Sequence, residues 1–183
     1  MCRIISVMRD DFMNKIRILG LDPGFGRVGW ALLDAVGQTL TVVGFGCWET
    51  KKGDDFAGRL MEIAEKLRAI IKKNKPDAAA LEELFFFKNL KTVIPVAQAR
   101  GAMMLVAKEN NLPLVELTPL QVKQSICGYG RAEKIQVQKM VQLILKLKEI
   151  PRPDDAADAL AVAIAAVPYF TSHILKCSRK MAR

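Results

Sequence analysis

The chain has 183 residues, enough for one domain with a substantial core, and its 51% hydrophobic and 26% charged residues are a globular rather than a disordered mix. Lys and Arg outnumber Asp and Glu by 28 to 19, a net charge of +9 that points to a polyanionic partner, nucleic acid before an acidic membrane. One histidine, His173, and four scattered cysteines (Cys2, Cys47, Cys127, Cys177) argue against a zinc site or a disulfide framework and for a reducing, cytoplasmic setting. No run of about 18 apolar residues suggests a membrane span, and "MCRIISVMRDDF" lacks the apolar stretch of a secretion signal.

Residues 1–14 read as a disordered extension, 15–168 as one folded domain and 169–183 as a basic tail carrying Lys176, Arg179, Lys180 and Arg183. Alternation over 16–22 predicts a strand with Ile16, Ile18, Gly20 and Asp22 on one face and Arg17, Leu19 and Leu21 on the other. Val28–Leu33 and Thr39–Glu49 follow as two further antiparallel strands. Asp54 or Asp55 caps a helix with Leu60, Ile63, Ala64, Leu67 and Ile71 at helical spacing. Residues 78–84 form a short strand, and a loop with three phenylalanines leads to a helix over Thr92–Glu109, with Pro95 in its first turn. Residues 113–117 are a fifth strand, and Thr118-Pro119 caps and opens a helix to about Ile126. Helices over Ala132 to about Lys148 and Asp154 to about Val167 complete the order βββαβαβα with additional helices, an α/β fold whose mixed sheet has helices on both faces.

Gly24, Gly26 and Gly29 have the spacing of a dinucleotide-binding loop, and Glu49 stands where that motif places its ribose-binding acid. The context is wrong. Such a loop opens a helix, whereas only "WALLDAV" separates Gly29 from Gly37, and Asp22 would repel a pyrophosphate. The glycines instead read as a hairpin giving close access to Asp22. An actin-like ATPase half is also a poor fit, because it would lack the second phosphate loop.

Asp22 ends the first strand, and Glu82 and Glu83 end the fourth on opposite faces, so alternation leaves open which of the two joins Asp22. In "DDAADALAVAIAAV", Asp155 and Asp158 share a helix face that continues as Val162 and Ala165 or Ala166. Capping accounts for an acid in the first turn, but poorly for Asp158 in an otherwise apolar stripe. Carboxylates about 4 Å apart repel by about 4 kcal/mol per pair at an effective dielectric near 20. A hard divalent cation removes that repulsion, and an all-oxygen donor set selects Mg²⁺ or Mn²⁺. Carboxylates with Mg²⁺ on a basic protein suit phosphodiester hydrolysis.

"GLDPG", "LEELFFFKN", "AQARG", "TPLQVKQSICGYGRAEKIQVQKMV" and "DDAADALAVAIA", in order from about Lys15 to Val167, resemble the RuvC family of Holliday junction resolvases. The resemblance implies an RNase H-like nuclease domain with a five-stranded mixed sheet, three antiparallel strands then two parallel. It also implies a homodimer, paired Mg²⁺-dependent nicks at four-way DNA junctions in recombination and repair, and work alongside the branch-migration proteins RuvA and RuvB. Its catalytic acids and metal ligands fall on Asp22, Glu82, Asp155 and Asp158, with two Mg²⁺ ions that Mn²⁺ replaces. Another RNase H-like nuclease would share these acids, and a catalytically silent junction-binding module would not need them.

Lys123, Arg131 and Lys134 bracket the Gly128–Gly130 break and are assigned to phosphate contacts; Lys123 and Lys134 also match basic positions of the family. In "FFFKN", three consecutive phenylalanines cannot all face one core. Either they pack in a dimer or core, or one stacks on an unpaired base. Matching to the family favours Phe85 as that wedge, with Lys88 nearby for phosphate.

Overall fold

The computed structural model describes the chain over residues 15–84 and 90–181, and its side chains over 15–84 and 93–171. Phe85 and Lys88 lie outside the described residues, as does the N-terminal extension.

Three antiparallel strands, β1 (Ile16–Asp22), β2 (Arg27–Val36) and β3 (Thr39–Glu49), are followed by helix α1 (Phe56–Asn74). Strand β4 (Ala78–Glu82), helix α2 (Leu90–Glu109) and strand β5 (Leu114–Leu117) come next, then α3 (Pro119–Cys127), α4 (Lys134–Ile144) and α5 (Asp154–Met181). The sheet order is β3-β2-β1-β4-β5, with β4 parallel to both β1 and β5, so the expected mixed five-stranded sheet is present. Gly29 lies inside β2, paired with Asp22, and no helix opens at the glycine motif. The dinucleotide reading is thereby excluded.

The sheet separates two cores. On one face Ile16, Ile18, Ala31, Leu33, Ala35 and Ala80 pack against α5, with α3 and α4 outside. On the other, Leu19, Leu21, Val28, Leu32 and Leu81 meet Ile63, Leu67 and Ile71 of α1 and Ala99, Met103 and Val106 of α2. Helix α5 lies unusually close to the sheet. A Cβ on Gly20 would stand 2.3 Å from the Ala159 carbonyl oxygen, and one on Gly29 would stand 1.9 Å from that of Asp155. Only glycine permits this contact of helix backbone with strand backbone.

Local chemistry sets most element ends as the sequence predicts. Asp55 caps α1, accepting from the Gly58 N–H at 2.7 Å, and Thr118 caps α3, accepting from the Gln121 N–H at 3.2 Å. Three helices differ from expectation in where they begin or end. Helix α2 begins at Leu90, which puts Pro95 in its second turn rather than the first. Helix α4 begins after Glu133, whose N–H donates to the Gln136 side chain at 2.8 Å, and it ends before Lys146 turns to positive φ. Helix α5 runs through Pro168 to Met181 instead of stopping near Val167. Phe170 packs against the core and the Thr171 hydroxyl donates to the Val167 carbonyl at 2.9 Å, which holds the helix together past a proline that has lost its own N–H. Among the described residues, no helix is long and apolar enough to cross a membrane.

Candidate active site

Strand register settles which acids meet. Leu21 pairs with Leu81 in the parallel β1–β4 ladder, so Asp22 and Glu82 are the next residues at the same end of adjacent strands. Gly20 and Ala80 face α5, and side chains alternate, so Asp22 and Glu82 share that face. Glu83 falls beyond the strand, where its N–H donates to the Leu117 carbonyl at 2.8 Å. Helix α5 begins over the same sheet end and supplies Asp155 and Asp158 from its first turns. Four acids from three separated parts of the chain therefore converge, each half-buried.

Their electrostatics show how closely they are coupled. Burial first, then the charges of Glu82, Asp158 and Asp155, push the Asp22 carboxyl up to about 8, against the pull of Lys134. Burial and the charge of Asp158 push Glu82 up to about 7, opposed by Lys123 and Lys134. Asp158 is also raised, chiefly by burial and further by Asp154 and Asp155, while its hydrogen bond from Lys134 opposes the shift. These acids repel one another in a poorly solvated place.

Basic groups flank them. A cleft of about 210 Å³ is lined by Glu82, Pro119, Val122, Lys123, Lys134, Val137, Asp158 and Ala161. Lys123 projects from α3, and Lys134 opens α4, with its Nζ 2.9 Å from Asp158 and 3.5 Å from Asp154. Burial works against the charge on Lys134, yet these two carboxylates hold its pKa above the usual lysine value. Arg131 is exposed on the α3–α4 connection and is not among the residues lining the cleft.

Two further groups touch the acids without a sequence motif to announce them. Arg27 places its Nε 3.4 Å from Asp155 Oδ2, and the Cys47 thiol donates to the same oxygen at 3.7 Å. Parity held the signal for Arg27: it lies two residues before Gly29 and so shares the face over which α5 starts. Arg100 of α2 donates from Nε to the Glu82 backbone carbonyl at 3.3 Å and also pairs with Glu116, which fixes the end of β4.

The donor set fits a hard divalent cation. All four side chains are carboxylates, no histidine lies among them, and the raised Asp22 and Glu82 values mark negative charge short of a counter-ion. Among the described residues, no three such groups already close around one point as a metal cage. Asp155 and Asp158 are instead drawn to Arg27 and Lys134.

A family model described as crossover junction endodeoxyribonuclease RuvC matches residues 18–166. The crossover junction endodeoxyribonuclease RuvC of Petrotoga mobilis is 49% identical over 146 residues, spanning 80% of this chain and 90% of the relative. That of Moorella thermoacetica is 51% identical over 148 residues, 80% of this chain and 88% of its own. The solved structure of T. thermophilus RuvC in complex with a Holliday junction substrate aligns with a TM-score of 0.80 at 32% identity, covering 86% of this chain and 96% of that one. With most of its length matched by both sequence and fold, the chain belongs to the RuvC family of crossover junction endodeoxyribonucleases.

Proposed function

We propose that this protein resolves four-way DNA junctions by paired, symmetric, metal-assisted nicks that leave 5′-phosphate and 3′-hydroxyl ends. The family match over residues 18–166 carries the four-way junction as substrate, and the convergence of Asp22, Glu82, Asp155 and Asp158 at one sheet end, with Asp22 raised to about 8, carries the metal-assisted chemistry. Such a cluster is disfavoured at neutral pH unless a cation joins it.

The metal is a divalent cation, proposed as two Mg²⁺ ions with Mn²⁺ as a substitute. Asp22, coupled to each of the other three acids, would hold the cations together with Glu82, Asp155 and Asp158. When bound, the cations acidify the attacking water and neutralise charge on the departing 3′ oxygen. The sheet end and the first turns of α5 hold the carboxylates rigidly, so little reorganisation is needed at the moment of reaction. Lys123 and Lys134 line the cleft beside Glu82 and Asp158, where they would hold the backbone of the cut strand. Arg131, exposed nearby, would add a phosphate contact outside the cleft. For Phe85, stacking on an unpaired base at the crossover, and for Lys88, a phosphate contact, the support is the match to the family.

A homodimer supplies two sites related by a two-fold axis, as a symmetric junction requires. Helix α2 offers a surface for it. Ile94 and Leu105 are 63% and 59% exposed, and Ala97 and Gly101 between them are exposed too. Bacterial branch-migration proteins RuvA and RuvB are the proposed working partners, in the cytoplasm.

The test presents the purified protein, with and without Mg²⁺, with a synthetic four-way junction beside duplex, single-stranded and RNA–DNA hybrid controls. The expected result is paired, religatable nicks confined to the junction, and none from Asp22→Asn, which should still bind. Equal cutting of the controls would make this a general nuclease, and binding without cutting would leave a junction-recognition module.

A further inference from the structure

Asp158 and Asp155 of α5 are each paired with a cation that a second carboxylate shares, Asp154 in the case of Lys134 and Glu49, 3.5 Å away, in the case of Arg27. Lys134 Nζ stands 2.9 Å from Asp158 Oδ2 and 3.5 Å from Asp154 Oδ2, and Arg27 Nε stands 3.4 Å from Asp155 Oδ2. The two arrive from different elements, Arg27 from the start of β2 and Lys134 from the start of α4. Their side chains are 50% and 53% exposed, so each has open solvent to swing into.

We infer that Lys134 and Arg27 are exchangeable counter-ions, which neutralise Asp158 and Asp155 in the metal-free protein and are displaced by the incoming divalent cation to face the phosphates of the bound strand. The inference rests on the metal-assisted reading above and adds the order of events to it.

Charge balance favours exchange over joint occupancy. Four ionised carboxylates and two divalent cations cancel, so an ammonium and a guanidinium left in place would be in excess beside them. The phosphates of the substrate are the charges that restore neutrality. The same carboxylate oxygen cannot accept a lysine at 2.9 Å and coordinate a small cation at about 2.1 Å without the two positive charges meeting at close range. Because the released cations then contact DNA, metal and DNA must strengthen each other's binding reciprocally.

The probe is Mn²⁺ alone, titrated into DNA-free full-length protein and followed by the electron paramagnetic resonance of the free ion. Lys134→Gln should bind Mn²⁺ about fivefold tighter than wild type, and Arg27→Gln about twofold tighter, because neither must break an ion pair first. Lys123 is the control for simple loss of positive charge: it lines the same cleft and makes no ion pair among the described residues, so Lys123→Gln should change affinity by less than about twofold. Lys134→Arg should stay near wild type. Equal tightening by Lys123→Gln and Lys134→Gln would overturn the exchange, as would unchanged or weaker binding by Lys134→Gln. Asp22→Asn separates the two claims. It keeps the Lys134 pair, so if it binds Mn²⁺ as well as wild type, the metal reading fails, whatever the order among the basic variants.

Discussion

The two faces of the sheet are packed by different means. Toward α1 and α2 the contact is made by large side chains, among them Leu19, Leu21, Leu32, Ile63, Leu67, Leu81 and Met103, all fully buried. Toward α5, Ile18, Leu33 and Leu160 are buried too, but there Ala159 and Ala163 also lie over Gly20 and the Asp155 backbone over Gly29, with backbone nearly touching backbone. Large side chains tolerate small shifts by changing rotamers, whereas a backbone contact over glycine fixes the distance between elements. The face that carries all four acids is the one built to the tighter tolerance. Glycine there sets how far Asp155 and Asp158 stand from Asp22.

The largest expected effect comes from breaking that contact. Gly29→Ala would drive a methyl group into the Asp155 carbonyl, and the helix must move away. Junction cleavage should fall to near background, with a stability loss of about 1–3 kcal/mol, read by a strand-mapping gel and by thermal melting. A Gly29→Ala protein that cleaves normally would remove the glycines from the account. On the other face, Leu67→Ala should cost about 2–5 kcal/mol of stability yet leave the folded fraction cutting at close to the normal rate, which urea melts and single-turnover cleavage would separate. A smaller change tests the proposed dimer at the α2 surface, where Leu105→Asp should leave the fold intact and shift light-scattering mass from the proposed dimer to monomer. The smallest is at the cleft: Lys123→Gln should reduce the slope of log affinity against log salt for junction DNA by about one, without changing where the strands are cut.

The difference between the faces also decides what could be read in advance. Alternation and turn residues marked five strands, and Asp158 in an alanine stripe was conspicuous because a buried acid is costly. Alternation left Glu82 and Glu83 open and the family resemblance pointed to Glu82; the physical reason is the β1–β4 register, which places Leu81 beside Leu21, and no local pattern contains that pairing. Parity placed Arg27 on the face of Gly29, but its meeting with Asp155 depends on how closely α5 crosses β2, which no local pattern contains. The last helix was expected to end near Val167, but Phe170 packing and the Thr171 hydroxyl carry α5 past Pro168. The proposed roles of Phe85 and Lys88 rest on the family match, because both lie outside the described residues.

One measurement bears most directly on the claim that these acids are held together against their own repulsion until a cation joins them. Asp22 is raised from 3.8 to about 8, so the folded protein holds that proton more tightly than the unfolded chain. The stability it lends is complete below the ordinary aspartate value and is lost as pH rises through the folded one; Glu82, raised to about 7, adds to the decline. Melting temperatures would be recorded from about pH 5.5 to about pH 8.5, with chelator and with Mg²⁺, for wild type and Asp22→Asn. The account predicts that metal-free wild type loses stability across this window, that Mg²⁺ restores it at the alkaline end, and that Asp22→Asn shows a shallower decline and little gain from Mg²⁺. Parallel pH profiles and equal Mg²⁺ gains in the two proteins would contradict it.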